Sequence, residues 1–307
     1  MTNPRKRITS LALTACLALG AYSLAQETTI EHAQGTTDVP VTPEKVFSYD
    51  YATIDTLTTL GIAVHGAPPL AGRTPTWLPD GMRDIGSLFE PDYETVNAEQ
   101  PDLIVVAGRS ADAYPELARM APTIDLTFQG GLHESLKQNT LILGEIFERQ
   151  DDVEAELTAI DERIAALAPE VQGGGDGLLL MVTGGGITVL NPDTARASRG
   201  ALLFETLGLE PTVDDIESAT HGEPVSFEFL LEYDPTWLFV IDRDAAIGTE
   251  DAQPAAAVLD NELMQQTGAW QNDRIAYLDP FNWYIITGAG LTTMNEMLDE
   301  IEVIYSR

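Results

Sequence analysis

Residues 93–110, YETVNAEQPDLIVVAGRS, and residues 227–244, FEFLLEYDPTWLFVIDRD, carry the same punctuation 134 positions apart. In the first, Glu94 is followed by Pro101 and Arg109; in the second, Glu228 is followed by Pro235 and Arg243. The offsets match, seven residues from Glu to Pro and fifteen from Glu to Arg. Each copy reads as a short helix, a turn begun by proline, a buried strand (103–107 and 238–241) and an arginine where the strand ends. A duplicated unit of this kind predicts two similar lobes, each setting one cation at the carboxyl end of a strand, where open α/β sheets bind ligands. Coincidence between two ordinary αβ units is the alternative that the spacing alone leaves open.

The surrounding pattern agrees with an α/β fold. Strands are expected at 46–50, 62–65, 123–126, 178–183 and 275–278, with helices at 52–60, 93–98, 113–120, 200–207 and 291–305. Residues 26–38 form a polar leading segment and 66–80 a loop rich in Pro and Gly. From 132 to about 168 the period is helical throughout. There Val153, Leu157, Ile160, Ile164 and Leu167 step by 4, 3, 4 and 3, an apolar stripe opposite an acidic face. Lying between the two copies, the second half of this stretch reads as one rigid helix joining the lobes, ended by Pro169 and Gly173–Gly175. Gly184–Gly186 reads as a hairpin turn; no Lys-Ser/Thr follows it, as a phosphate loop requires. The expected organisation is a signal segment 1–25, an N-terminal lobe 26–148, a connecting helix 149–170 and a C-terminal lobe 171–307.

Composition narrows the function. The chain has 307 residues, 49 acidic against 16 basic, and a net charge of −33. Arg5, Lys6 and Arg7, the apolar run 8–22 and Ser23-Leu24-Ala25 form an export signal. Its removal takes three of the 16 basic residues and no acid, moving the net charge to −36. Such a surface repels nucleic acid and anionic lipid. Leu13-Thr14-Ala15-Cys16 has the look of a lipobox, but LALGAYSLA after Cys16 stays apolar, so release into the periplasm is favoured over a lipid anchor. Cys16 is the only cysteine, leaving the mature chain without disulfides, thiolate metal sites or cysteine nucleophiles. In so acidic a chain, an arginine kept at a cleft suggests an anionic ligand.

Several collinear segments carry a more specific resemblance: VFSYDYATIDTLTTLGI (46–62), GRSADAYPELARMAPTIDL (108–126), ASRGALLFETLGLEP (197–211), HGEPVSFEFLLEYDPTWLFVIDRDAAIG (221–248) and YLDPFNWYIITGAGLTTMNEML (277–298). Together they resemble bacterial periplasmic proteins that deliver ferric siderophores to ABC transporters, particularly the enterochelin/petrobactin-type branch. The resemblance implies two α/β lobes with mostly parallel central sheets, joined by one long helix, and a ligand bound between them. It implies that Arg109, Arg199 and Arg243 bind that ligand. Guanidinium suits a polyanionic ferric catecholate, since it is planar, always charged and no competitor for iron. It further implies that His221 and Tyr284 either complete the coordination of Fe(III) or line the cleft; ferric iron favours phenolate and accepts imidazole. Trp283 and Tyr49 are candidates for packing on catecholate rings, with core packing as their other reading. Glu94 and Glu228, one on each lobe tip, are implied to dock on the permease. His32, His65 and His133 have no implied metal role, and Arg196 stands near enough to Arg199 to share its part.

The expected protein is therefore a monomeric, non-catalytic receptor without a permanently bound cofactor. Its ligand would be an Fe(III)–siderophore, catecholate or mixed citrate–catecholate, and its partner an ABC permease. Haem or another metal chelate on the same fold is the alternative. Bare zinc or manganese would want several His and carboxylate ligands. A hydrolase would want a nucleophile with its base, and no G-x-S-x-G elbow is present.

Overall fold

The computed structural model describes residues 26–70, 74–127, 130–191, 198–213, 222–286 and 288–306. The signal segment with Cys16 therefore lies outside the described residues, as do Arg196 and His221. The leading segment, polar in sequence, folds as an antiparallel hairpin of β1 (Glu27–His32) and β2 (Gly35–Pro40). Only Ile30 and Val39 are buried there, 2% and 0% exposed. Two apolar anchors in twelve strand residues are too few to register as a strand pattern.

The first lobe is built on β3 (Val46–Ser48), β4 (Gly66–Ala67), β5 (Arg83–Asp84), β6 (Leu103–Val106) and β7 (Thr123–Asp125), all parallel in the order β5-β4-β3-β6-β7. The second strand corrects the expectation at 62–65: that segment is irregular, and pairing begins at Gly66, opposite Phe47. A Cβ on Gly66 would stand 2.7 Å from the Phe47 ring, so this pairing needs glycine. Val64 is nevertheless buried, and the apolar run that suggested a strand is a packed approach to one. The helix expected at 113–120 is shorter, a 3₁₀ stretch Gly108–Ala113 followed by Tyr114–Leu117.

The second lobe contains β8 (Asp176–Thr183), β9 (Gly186–Val189), β10 (Glu210–Pro211), β11 (Glu223–Val225), β12 (Trp237–Asp242) and β13 (Ile275–Leu278). Its order is β11-β9-β8-β12-β13, with β10 on β8; β9 is antiparallel to both its neighbours. The remaining pairs, β8–β12 and β12–β13, are parallel.

The 134-residue repeat is a structural one. The helices Tyr93–Glu99 and Phe227–Tyr233 begin at N-caps Asp92 and Ser226, which accept from the amides of Thr95 and Phe229 at 3.0 and 3.4 Å. Both end on left-handed residues, Gln100 (φ 49°) and Asp234 (φ 42°), immediately before the prolines that cannot continue a helix. β6 then runs between β3 and β7, as β12 runs between β8 and β13. The same clamp closes each unit with its polarity reversed: Lys45 N–H donates to Asp102 at 2.7 Å, and Thr236 N–H to Asp176 at 3.1 Å.

Between the lobes the continuous helical pattern resolves into two helices, Leu132–Ile146 and Gln150–Gly173, broken at Glu148 (φ 53°). The linking helix runs through Pro169 and on to Gly173, past the end expected for it. Val171, buried with Leu167 in the core, holds the last turn in place despite the amide missing at Pro169. At ~1.5 Å per residue its 24 residues span about 36 Å. Val153, Leu157, Ile160, Ile164 and Leu167 are all buried. One continuous apolar core joins both lobes through this helix and the closing helix Leu291–Tyr305.

The closing helix is not confined to the second lobe. It packs on the linking helix and on the helix Tyr51–Thr59 of the first. Buried Asp55 accepts from the amides of Thr292 and Thr293 at 3.0 and 2.7 Å, capping the closing helix from the other lobe. A Cβ on Gly290 would lie 2.4 Å from the Asp55 carboxylate, so the close approach requires glycine there. Arg163 of the linking helix bonds Asn295, Asp299 and Glu302 along its flank.

Candidate functional site

Arg109 follows β6 by three residues on the 3₁₀ stretch, and Arg243 directly follows β12. The two repeats thus present their arginines from the carboxyl ends of equivalent strands. They meet at one segment of the second lobe, the π-helical turn Phe281–Ile285 just beyond β13. Arg109 Nη2 donates to the carbonyl of Ile285, and Arg243 Nε donates to the hydroxyl of Tyr284 at 2.7 Å. The Arg243 guanidinium also lies 5.5 Å from the Tyr284 ring centroid, a cation–π distance. Both guanidiniums are partly buried, and their separate origins make this the junction between the lobes.

The surroundings of each arginine differ. Arg243 is steadied by the Thr183 hydroxyl at 3.4 Å and by Asp244 at 4.0 Å. Asp244 also takes the amide of Gly184 at 2.6 Å, which fixes the hairpin turn beside the site. Arg109 has Asp50, Tyr51 and Tyr284 as electrostatic neighbours; burial lowers its pKa and these groups oppose the shift. Asp50 caps the helix Tyr51–Thr59, accepting from Thr53 N–H and Oγ1 at 2.9 and 2.8 Å. Burial raises its pKa against those hydrogen bonds and against Arg109. One side of the site therefore carries a carboxyl beside its cation, and Arg243 has its own in Asp244.

Arg199 lies in the helix Ser198–Ala201, which continues as a second π-helical turn, Leu202–Thr206. Its side chain, like His221, lies outside what the structure describes. Tyr49 and Trp283, expected as ring-packing candidates, are core residues, 0% and 1% exposed. The Tyr49 hydroxyl is spent on the Ile85 carbonyl at 2.8 Å and the Trp283 indole on Glu300 at 2.7 Å. Trp283 bonds the closing helix through Glu300, whereas its neighbour Tyr284 on the same helical turn bonds Arg243. Glu94 and Glu228 are exposed at the second position of their equivalent helices.

Sequence reasoning missed Asp50, Thr183 and the Ile285 carbonyl. Asp50 carried a signal, since an Asp ahead of YATIDTL is a helix N-cap at the end of a strand. The carbonyl carried none, because any residue supplies one.

The comparisons with known proteins agree with this architecture. The family described as periplasmic binding protein matches residues 46–281. The petrobactin-binding protein YclQ of Bacillus subtilis is 32% identical over 308 residues, covering 96% of this chain and 95% of its own; its crystal structure superposes with a TM-score of 0.83. The ferric-anguibactin-binding protein FatB of Vibrio anguillarum is 30% identical, over 89% of this chain and 85% of its own. A TroA-like periplasmic binding protein from Xylanimonas cellulosilytica is 39% identical with a TM-score of 0.84, covering 92% of this chain and 99% of that one. Matched across its two lobes, their sheets and the helix between them, the chain belongs to the periplasmic binding protein family.

Proposed function

We propose that the protein is the substrate-binding component of an ABC importer, capturing an anionic Fe(III)–siderophore between its lobes and delivering it to an inner-membrane permease. The observation that carries this reading is the convergence of Arg109 and Arg243, from equivalent strand ends of the two lobes, on the turn bearing Tyr284. A ferric catecholate is polyanionic and planar in its rings, and a guanidinium meets it with charge, donors and a flat face at once. That relatives of this family bind petrobactin and ferric anguibactin, as their names state, supports the same ligand class.

In this reading Arg199 is the third cation, and Tyr284, with His221, offers donors to iron wherever a siderophore leaves coordination positions open. The iron complex is cargo, and the protein itself is a monomer that catalyses no reaction. Residues 1–25 direct export to the periplasm, and Glu94 and Glu228, exposed on matching helices, meet the permease, one from each lobe. No helix among the described residues is long and apolar enough to cross a membrane.

The test is a titration of the mature protein with ferric catecholate, mixed citrate–catecholate and hydroxamate siderophores, read by quenching of intrinsic tryptophan fluorescence. The expected result is submicromolar affinity for the catecholate types. Quenching by haem alone overturns the siderophore reading. Glu94→Lys with Glu228→Lys should leave affinity intact and abolish transport; unimpaired transport removes the docking role.

A further inference from the structure

We propose that Glu296 and Glu300 of the closing helix are positioning residues of the cleft, holding the 279–285 turn so that Tyr284 and the Ile285 carbonyl stand against Arg243 and Arg109. Neither glutamate touches the arginines, and neither is marked by the repeat. Their role follows from where the turn is attached.

The turn is one π-helical loop of five residues with few bonds of its own. Ile286 N–H reaches the Phe281 carbonyl at 3.2 Å, Trp283 N–H the Asp279 carbonyl at 3.1 Å, and the Asp279 carboxylate accepts from the amides of Phe281 and Asn282 at 2.9 and 3.2 Å. A single turn does not hold its shape unaided. Its side away from the arginines is bonded to the closing helix at three points. Asn282 Nδ2 donates to Glu296 at 2.9 Å, and Glu300 receives both the Asp279 amide, at 2.9 Å, and the Trp283 indole, at 2.7 Å. Glu296 and Glu300 are four residues apart, hence on one face of the helix.

This arrangement is expensive for the fold. Glu300 is half-buried, and burial, with Asp279 beside it, pushes its pKa up to about 7. Apolar side chains would pack a helix against a turn at less cost. What carboxylates add is direction: two oxygens of Glu300 engage a backbone donor and an indole donor in fixed geometry, so the residue between Trp283 and Ile285 has one orientation.

The reference frame is the second part of the inference. The helix carrying both glutamates is capped by Asp55 of the first lobe and braced by Arg163 of the linking helix. The turn belongs to the second lobe by chain order, yet its polar anchors lead to a helix fixed on the first. Arg109 and its acceptor are therefore set against each other through Asp55, the closing helix and Glu300. The ligand-binding consequence rests on the function proposed above; the positioning itself does not.

The experiment compares E300A, E300Q, E296A and E296Q with the unmodified mature protein. E300Q covers the case that E300A does not fold, since Gln keeps the volume and one acceptor for two donors. Hydrogen–deuterium exchange of the ligand-free protein is read first. Peptides within 279–286 should exchange at least tenfold faster in the Glu300 variants, with the linking helix 150–173 unchanged. Affinity for an Fe(III)-loaded hexadentate tris-catecholate should fall about tenfold in E300Q, while its thermal midpoint at pH 8 does not fall. E296A should lose several-fold in affinity, and E296Q, which retains an acceptor for Asn282, should recover most of it. Unchanged exchange at 279–286 overturns the proposal, as does full affinity in E300Q. If the unmodified protein binds no ferric chelate, the function falls, while exchange still decides the positioning role.

Discussion

Replacing Asp55 by alanine tests whether the lobes are tied together where the structure ties them. Asp55 is 0% exposed and caps the 15-residue closing helix from a helix of the other lobe. Losing a carboxylate N-cap costs about 1 kcal/mol. Thr293 is itself fully buried, and its stranded amide adds about 1–3 kcal/mol of uncompensated desolvation. The expected loss is therefore about 2–4 kcal/mol, a large share of the ~5–15 kcal/mol that holds a domain folded. Urea unfolding of the mature protein measures it, provided the slope against denaturant is unchanged. Gly290→Ala supplies the internal check, because its Cβ would collide with the Asp55 carboxylate and push it off the same amides. The two losses share one mechanism, so the double variant should fall short of their sum by at least 1 kcal/mol. A loss below about 0.5 kcal/mol for Asp55→Ala, or strict additivity of the pair, would refute the reasoning.

Further outcomes follow from the same geometry. Burial raises the Glu300 pKa from 4.5 to about 7, so the folded state favours its neutral form. At ~1.4 kcal/mol per unit, its contribution is present below pH 4.5 and about 3 kcal/mol is lost as pH rises through 7. Stability of E300Q minus that of the parent should grow by this amount over that range, a difference that cancels the parallel titration of Asp50 and Asp55; a flat difference is the contrary result. Ile160→Ala, at a fully buried position of the linking helix, should cost about 2–5 kcal/mol in the same urea assay, and a loss under 1 would mean the stripe is not core. Arg243→Gln, which removes one unit charge, should weaken an anionic ferric chelate roughly 100-fold, from a Coulomb term of about 3 kcal/mol near 5 Å at an effective dielectric of ~20; unchanged affinity takes it out of the site. Tyr284→Phe should shift the charge-transfer band of a bound tetradentate ferric complex, and an unaltered spectrum argues against ligation by the phenol.

Much of the scaffold was legible because it is written in periodicity and in local chemistry. The duplicated Glu–Pro–Arg unit needs only a cap, a left-handed stop, a proline and an apolar run, each set by a few neighbouring residues. The stripe from Val153 to Leu167 is as local, and so is the closing helix, whose bounds at Leu291 and Tyr305 match the expectation. Legibility failed where pairing partners are distant. β4 begins at Gly66 and not at Ile62, because Phe47, nineteen residues earlier, sets where the backbone can approach. The leading hairpin has two apolar anchors and hid as a polar segment.

The residues of the candidate site divide along the same line. By itself the sequence determined that two arginines end equivalent strands in a strongly acidic chain, since strand ends and charge are local properties. Only the tertiary structure decided that both point at one turn, that Tyr284 faces them while Trp283 turns inward, and that Tyr49 is spent on the core. Those outcomes depend on contacts 41 residues apart for Arg243 with Tyr284 and 176 apart for Arg109 with Ile285. No local pattern encodes a separation of that size; it is fixed when the sheets, the linking helix and the Asp55 cap pack together.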